Sequence, residues 1–128
     1  MRRALTPEAY SEAAKAAGMS PAIASGDFIF LTGVTGSGSD GVMPEAPKDQ
    51  FNAVFEKIAQ TLAVDGLGLD AIVEMTSYHI RLREHFSTFD AVRLARFSPP
   101  YPAWTAVEVA GLRREGAVVE VRAIAARK

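Results

Sequence analysis

Two stretches near the C-terminus carry the side chains best suited to chemistry. Pro102-Ala103-Trp104-Thr105-Ala106-Val107-Glu108-Val109-Ala110-Gly111-Leu112 reads as a strand with Trp104, Ala106 and Glu108 on one face. A large indole and a carboxylate together are more than a plain core strand needs. The second stretch, Ala117 to Ala125, holds Glu120 and Arg122 two residues apart. Glu120 or Glu108 is a candidate general base that activates water. Arg122 is a candidate anion grip, since a guanidinium binds carboxylates through two parallel hydrogen bonds. Trp104 can stack on a planar ligand or a cation, worth roughly 0.5–2 kcal/mol. A plainer account covers the same residues: Arg122 pairs with Glu108 or Glu120, and Trp104 fills space. Thr32 with the Gly33 N–H is either a polar anchor or a structural turn, and Asp90 is a surface or cleft-edge hydrogen-bonding group. His79 reads as a strand histidine satisfied by a neighbour rather than a proton shuttle, and His85 as exposed.

The elements that must hold these residues follow from patterning. Thr6-Pro7-Glu8 is a helix-start signal, with a capping hydroxyl, a first-turn proline and an acid near the positive end. That helix runs to Ala17, stops at Gly18 and is peripheral, because its face is mostly alanine. Ser20 to Ala24, a Ser25-Gly26-Asp27 turn and Phe28 to Val34 form a predicted hairpin. Both faces of its second strand are apolar, which predicts cover on both sides. The loop Thr35 to Pro47 lacks the lysine and threonine register of a phosphate cradle. Lys48 to Ala63 is the clearest helix, with Phe51, Val54, Phe55, Ile58 and Leu62 in one stripe. A strand over Val73 to Leu82 and a helix over Arg83 to Phe97 follow, the latter turning Phe86, Phe89 and Phe97 inward. The strands 103–112 and 117–126 close the chain as a predicted pair that walls a site. Two sizeable helices cover one face of a mixed sheet of about five or six strands. The other face still needs burial, so association with copies of the chain is expected.

Composition sets the outer bounds. A chain of 128 residues with 48% apolar and 23% charged side chains fits one soluble domain. A net charge of -1 offers no field for nucleic acid or anionic membranes, so neither is expected as a partner. No cysteine is present, which removes disulfides and thiolate chemistry, and the two histidines lack metal-ligand spacing. No metal and no cofactor are therefore expected. The longest solid apolar run, Phe28-Ile29-Phe30-Leu31, is far too short to span a bilayer, and the cytoplasm is the expected location.

Three segments resemble the RidA/YjgF family of reactive-intermediate deaminases. They are Ser25-Gly26-Asp27-Phe28-Ile29-Phe30-Leu31-Thr32-Gly33, Tyr101 through Leu112, and Val119-Glu120-Val121-Arg122-Ala123-Ile124-Ala125-Ala126-Arg127. The resemblance covers about Gly18 to the C-terminus and leaves residues 1–17 as an addition to one family domain. It implies an α+β, chorismate mutase-like fold and a homotrimer with a small-molecule site in each cleft between subunits. Members with the activity hydrolyse imines and enamines such as 2-aminoacrylate. The family pattern implies an arginine after Pro-Ala that clamps a carboxylate, and a glutamate on the last strand that positions water. Here the first position is Trp104 and the second is Arg122, two residues past Glu120. The family's tyrosine falls near Met19, its asparagine near Asp90, and Thr32-Gly33 matches. The implied function is hydrolysis of an imine, enamine or related carbonyl compound with altered specificity. A trimer that binds a small ligand without catalysis is the other reading. Cleavage of RNA, a role sometimes attached to the family, would need a basic surface that the composition lacks.

Overall fold

The computed structural model describes residues 1–127. Its strands are β1 (Arg2–Leu5), β2 (Ala22–Ser25), β3 (Phe28–Val34), β4 (Ile72–His79), β5 (Ala103–Glu108) and β6 (Val119–Ala126). Three helices, α1 (Ser11–Ala17), α2 (Pro47–Ala63) and α3 (Leu82–Arg96), complete it, with short 3-10 turns at Glu8–Tyr10 and Leu69–Ala71. All six strands form one sheet in the order β1-β2-β3-β6-β4-β5. Only β4 and β5 run parallel, in register from Glu74 opposite Ala103 to His79 opposite Glu108. That pairing is what a strand, crossover helix, strand unit produces, with α3 as the crossover.

Local signals explain most boundaries. Gly18 takes the left-handed conformation at φ 69° that ends α1, where a side chain would be strained. Pro47 opens α2 at a position whose N–H has no helical partner. The turn between β2 and β3 bends at Gly26, whose φ is 60°. Phe51, Val54, Phe55, Ile58 and Leu62 of α2 are all buried, as the stripe predicts, and α2 lies against β3, β6 and α3.

Three sequence expectations are corrected. The C-terminal strands do not pair with each other: β6 inserts between β3 and β4, while β5 lies on the far side of β4. The N-terminal segment is more than a peripheral helix. Its first residues add β1 to the sheet, with Leu5 fully buried, and the helix proper starts only at Ser11. Phe86 does not turn inward with Phe89 and Phe97; it stays 40% exposed on α3. Within one chain β3 is covered on one side, with Ile29 and Leu31 buried and Phe28 and Phe30 exposed. The helices take one sheet face, and among the described residues nothing takes the other.

Gln50 ties the loops to this frame. Its buried amide Nε2 donates to Pro44 O at 2.7 Å and Gly116 O at 2.9 Å, and its Oε1 accepts from Val118 N at 2.9 Å. Gly36 is packed against the same residue, since a Cβ there would come within 2.7 Å of the Gln50 Cα. Gln50→Ala leaves the half-buried Val118 N–H without its partner and should cost about 1 kcal/mol or more. Urea unfolding of the two proteins measures it, and an unchanged midpoint would mean the loops hold themselves.

Candidate functional site

The open sheet face gathers one group of the residues singled out. Register slips between Leu31 and Val34, so the Thr32-Gly33 step breaks the β3–β6 ladder. Thr32 donates its hydroxyl to Ser20 O at 2.6 Å and its N–H to Pro21 O at 2.9 Å. Gly33 has a steric reason for its identity. A Cβ at that position would lie 2.5 Å from Glu120 Oε2, so only glycine leaves room for the carboxylate. Glu120 sits opposite Tyr78 of β4, and Arg122 opposite Thr76, so both project from the uncovered face. Glu120 is half-buried and Arg122 exposed. Arg122 belongs to none of the ion pairs among the described residues, which corrects its expected pairing with Glu108 or Glu120.

Trp104 belongs to a second group, on the opposite side of the sheet. It is registered with Met75 and so with Ala123, whereas Arg122 is registered with Thr76. Trp104 and Arg122 therefore face apart, with β4 between their strands, and do not line one wall. The half-buried indole donates Nε1–H to Ser77 Oγ at 2.8 Å and stacks on Phe86, ring centres 5.9 Å apart and planes 9° from parallel. Over the same ring, 4.1 Å from its centre, lies the Arg93 guanidinium. Asp90 holds that guanidinium through Oδ1 at 2.6 Å. Asp90 and Trp104 thus meet through Arg93. The Asp90 to Arg93 spacing of three on a helix was the available signal. Glu108 serves structure: its Oε1 accepts the Leu82 N–H at 2.9 Å, capping the positive end of α3.

Beneath this cluster lie the histidines. His79 is fully buried, with Nε2 2.8 Å from Ser77 Oγ and its ring edge-on to Phe89 at 4.7 Å. Its Nδ1 has no partner. Burial first, and the nearby His85 second, pull its pKa down to about 4. The histidine is therefore a neutral core residue rather than a proton shuttle at neutral pH. His85 is not exposed as expected. It is half-buried against Phe51, at 6.3 Å between ring centres, with Nε2 inaccessible and unpartnered. Among the described residues no group of three or more histidine or acidic side chains could hold a metal, and no helix is long and apolar enough to cross a membrane.

This architecture, a mixed sheet backed on one side by helices, has close counterparts. The structure of Protein YJGH superposes with a TM-score of 0.86 at 35% identity, over 98% of this chain and 95% of that one. RidA from the Antarctic bacterium Psychrobacter sp. PAMC 21119 superposes with a TM-score of 0.79 at 31% identity, over 84% of this chain and 86% of that one. In sequence, the RutC family protein YjgH of Escherichia coli (strain K12) is 38% identical over 107 residues, 83% of this chain and 80% of that protein. These likenesses define an α+β protein of the RidA type. Residues 10–127 match the family model described as Endoribonuclease L-PSP, and the chain belongs to that family, the RidA/YjgF proteins.

His79 makes a prediction about acid stability. A histidine held neutral in the fold binds fewer protons than in the unfolded chain, so stability is full above pH 6.5 and falls as pH drops toward 4. The slope is at most about 1.4 kcal/mol per pH unit. Urea unfolding from pH 4 to 7, followed by the emission of Trp104, the single tryptophan, should show a shallower slope for His79→Gln than for the native chain. Equal slopes would mean that His79 takes up its proton inside the fold.

Proposed function

We propose that this chain hydrolyses small imines, enamines or related carbonyl compounds, at a site completed in the cleft between subunits of a homotrimer. One observation carries the reading. The Glu120 carboxylate lies against the bare Cα of Gly33, beside Thr32, on the sheet face that no helix covers. A carboxylate so placed can take a proton from water as the water adds to the C=N carbon, then return it to the departing nitrogen. Water is consumed, and ammonia and a carbonyl compound are released. Arg122 on the same face supplies a cation for a substrate's anionic group, and the Gly33 N–H and Thr32 are the remaining polar contacts. Exposed Phe28 and Phe30 on this face favour its burial against another copy. Asp90 and Trp104 lie on the opposite side of the sheet and would reach this cleft only from a neighbouring subunit.

A second reading rests on Trp104 itself. The resemblance assigns this position to a carboxylate-clamping arginine, and the guanidinium nearest to it, Arg93, is already balanced by Asp90. A trimer that binds a small ligand lacking that carboxylate, without catalysis, follows from this arrangement.

A 2-aminoacrylate generator with semicarbazide trapping of the imine separates the two. The hydrolase reading expects acceleration over buffer that falls by about 100-fold in Glu120→Gln, the scale of general-base catalysis. It also expects a raised KM in Arg122→Ala. No acceleration by the native protein removes the hydrolase and leaves the binding trimer. A monomeric mass by light scattering overturns both.

A further inference from the structure

A second recess lies away from the sheet face, between α1, the loop over 35–46, α2 and the loop over 109–118. Its volume is about 270 Å³. Two cations from distant parts of the chain converge there on one buried hydroxyl. Lys57 Nζ donates to Thr35 O at 2.9 Å and to Ser37 Oγ at 3.4 Å. Arg114 donates through Nη1 to the same Ser37 Oγ at 3.2 Å and through Nη2 to Gly41 O at 2.9 Å. The Tyr10 ring lies 5.4 Å from Lys57 Nζ, and Arg113 also lines the recess. No ion pair among the described residues includes Lys57, Arg113 or Arg114. Asp40, whose charge adds to burial in raising the Tyr10 pKa, accepts the Val42 N–H through Oδ1.

Cations drawn out of water toward neutral acceptors are incompletely compensated. Lys57 registers the deficit, with burial and then Arg114 lowering its pKa to about 8. An anion between the two heads would correct it. Ala13, Ala17, Met19 and Val34 form an apolar part of the wall, beside Ser39 and Thr61, that suits a short hydrocarbon. The volume falls just under the roughly 300–1,000 Å³ of drug-sized pockets, which suits a small ligand.

We propose that this recess is a separate binding site for a small carboxylic acid with a short apolar tail, its carboxylate held between Lys57 and Arg114 and its tail against the alanine face of α1. The site draws on none of Thr32, Gly33, Glu120 and Arg122, and shares with the family pattern only Met19, at the tyrosine position.

Isovalerate tests it, with isovaleramide as the uncharged isostere and inorganic phosphate as the tailless anion. Calorimetry on the full chain in buffers of different ionisation enthalpy counts the protons exchanged. Isovalerate should bind with proton uptake at pH 8.5, where free Lys57 is largely neutral, and with none at pH 6.5, where Lys57 is already charged. Arg114→Gln should weaken it by about tenfold or more. Lys57→Arg should keep binding but abolish the uptake, because arginine does not titrate there; this variant tests the site even if Lys57→Met fails to fold. Glu120→Gln should bind isovalerate unchanged, whatever happens to hydrolysis. Equal affinity for isovaleramide, tighter binding of phosphate, undiminished binding by Arg114→Gln, or no heat at millimolar ligand would each overturn the proposal.

Discussion

The structure depends on β6 lying in the middle of the sheet, hydrogen-bonded to β3 on one side and to β4 on the other. Val119, Val121, Ala123 and Ala125 point toward the helices and are at most 1% exposed, while Glu120, Arg122 and Ile124 point away. A strand with period two has no intermediate solution. Slipping one residue would bury a glutamate and an arginine beneath α2 and expose the valines, so the packing of the core is also what aims the candidate site residues outward. The room that Gly33 leaves for the Glu120 carboxylate comes from the same register.

Much of this could be read along the chain, and the failures have a common cause. The stripe on α2, the turn at Gly26 and the alternation of β6 are local patterns, and the structure follows them. Strand pairing is not local. The C-terminal strands look like a hairpin in sequence, but ten residues separate them, Val109 to Val118, and no tight turn holds them together. The parallel partner offered by β4 takes β5 instead, which moved Trp104 to the face opposite Arg122. β1 escaped notice because a four-residue strand with two exposed arginines carries no alternation to detect.

Site residues show the same division. Thr32, Gly33, Glu120 and Arg122 were identifiable by type and by resemblance, and the fold sets them on one face. As cations on helices, Arg93 and Lys57 read in sequence as ordinary solvated edge residues. Only the fold shows one of them lying on an indole and the other on a buried hydroxyl. Ser77 is the quiet link in the first case, accepting from Trp104 and meeting His79 across 2.8 Å. A small hydroxyl between two rings joins the edge strand to the aromatic core.

At the far rim of the sheet, β1 is tied down by charge. Asp65 receives Arg3 through Oδ1 and Arg127 through Oδ2, each at 2.8 Å, and these contacts hold its carboxyl below the usual range. A single aspartate after α2 thus clips both ends of the chain to the same corner. Unpaired strand rims invite other chains to zip on and begin fibres, and bulky cations along a short rim strand are a common guard. Arg2 and Arg3 fit that description. Trimming the first five residues would strip the guard, unseat Leu5 and hand the bare backbone of β2 to any passing strand, so aggregation rather than simple loss of a helix is the hazard of an N-terminal deletion.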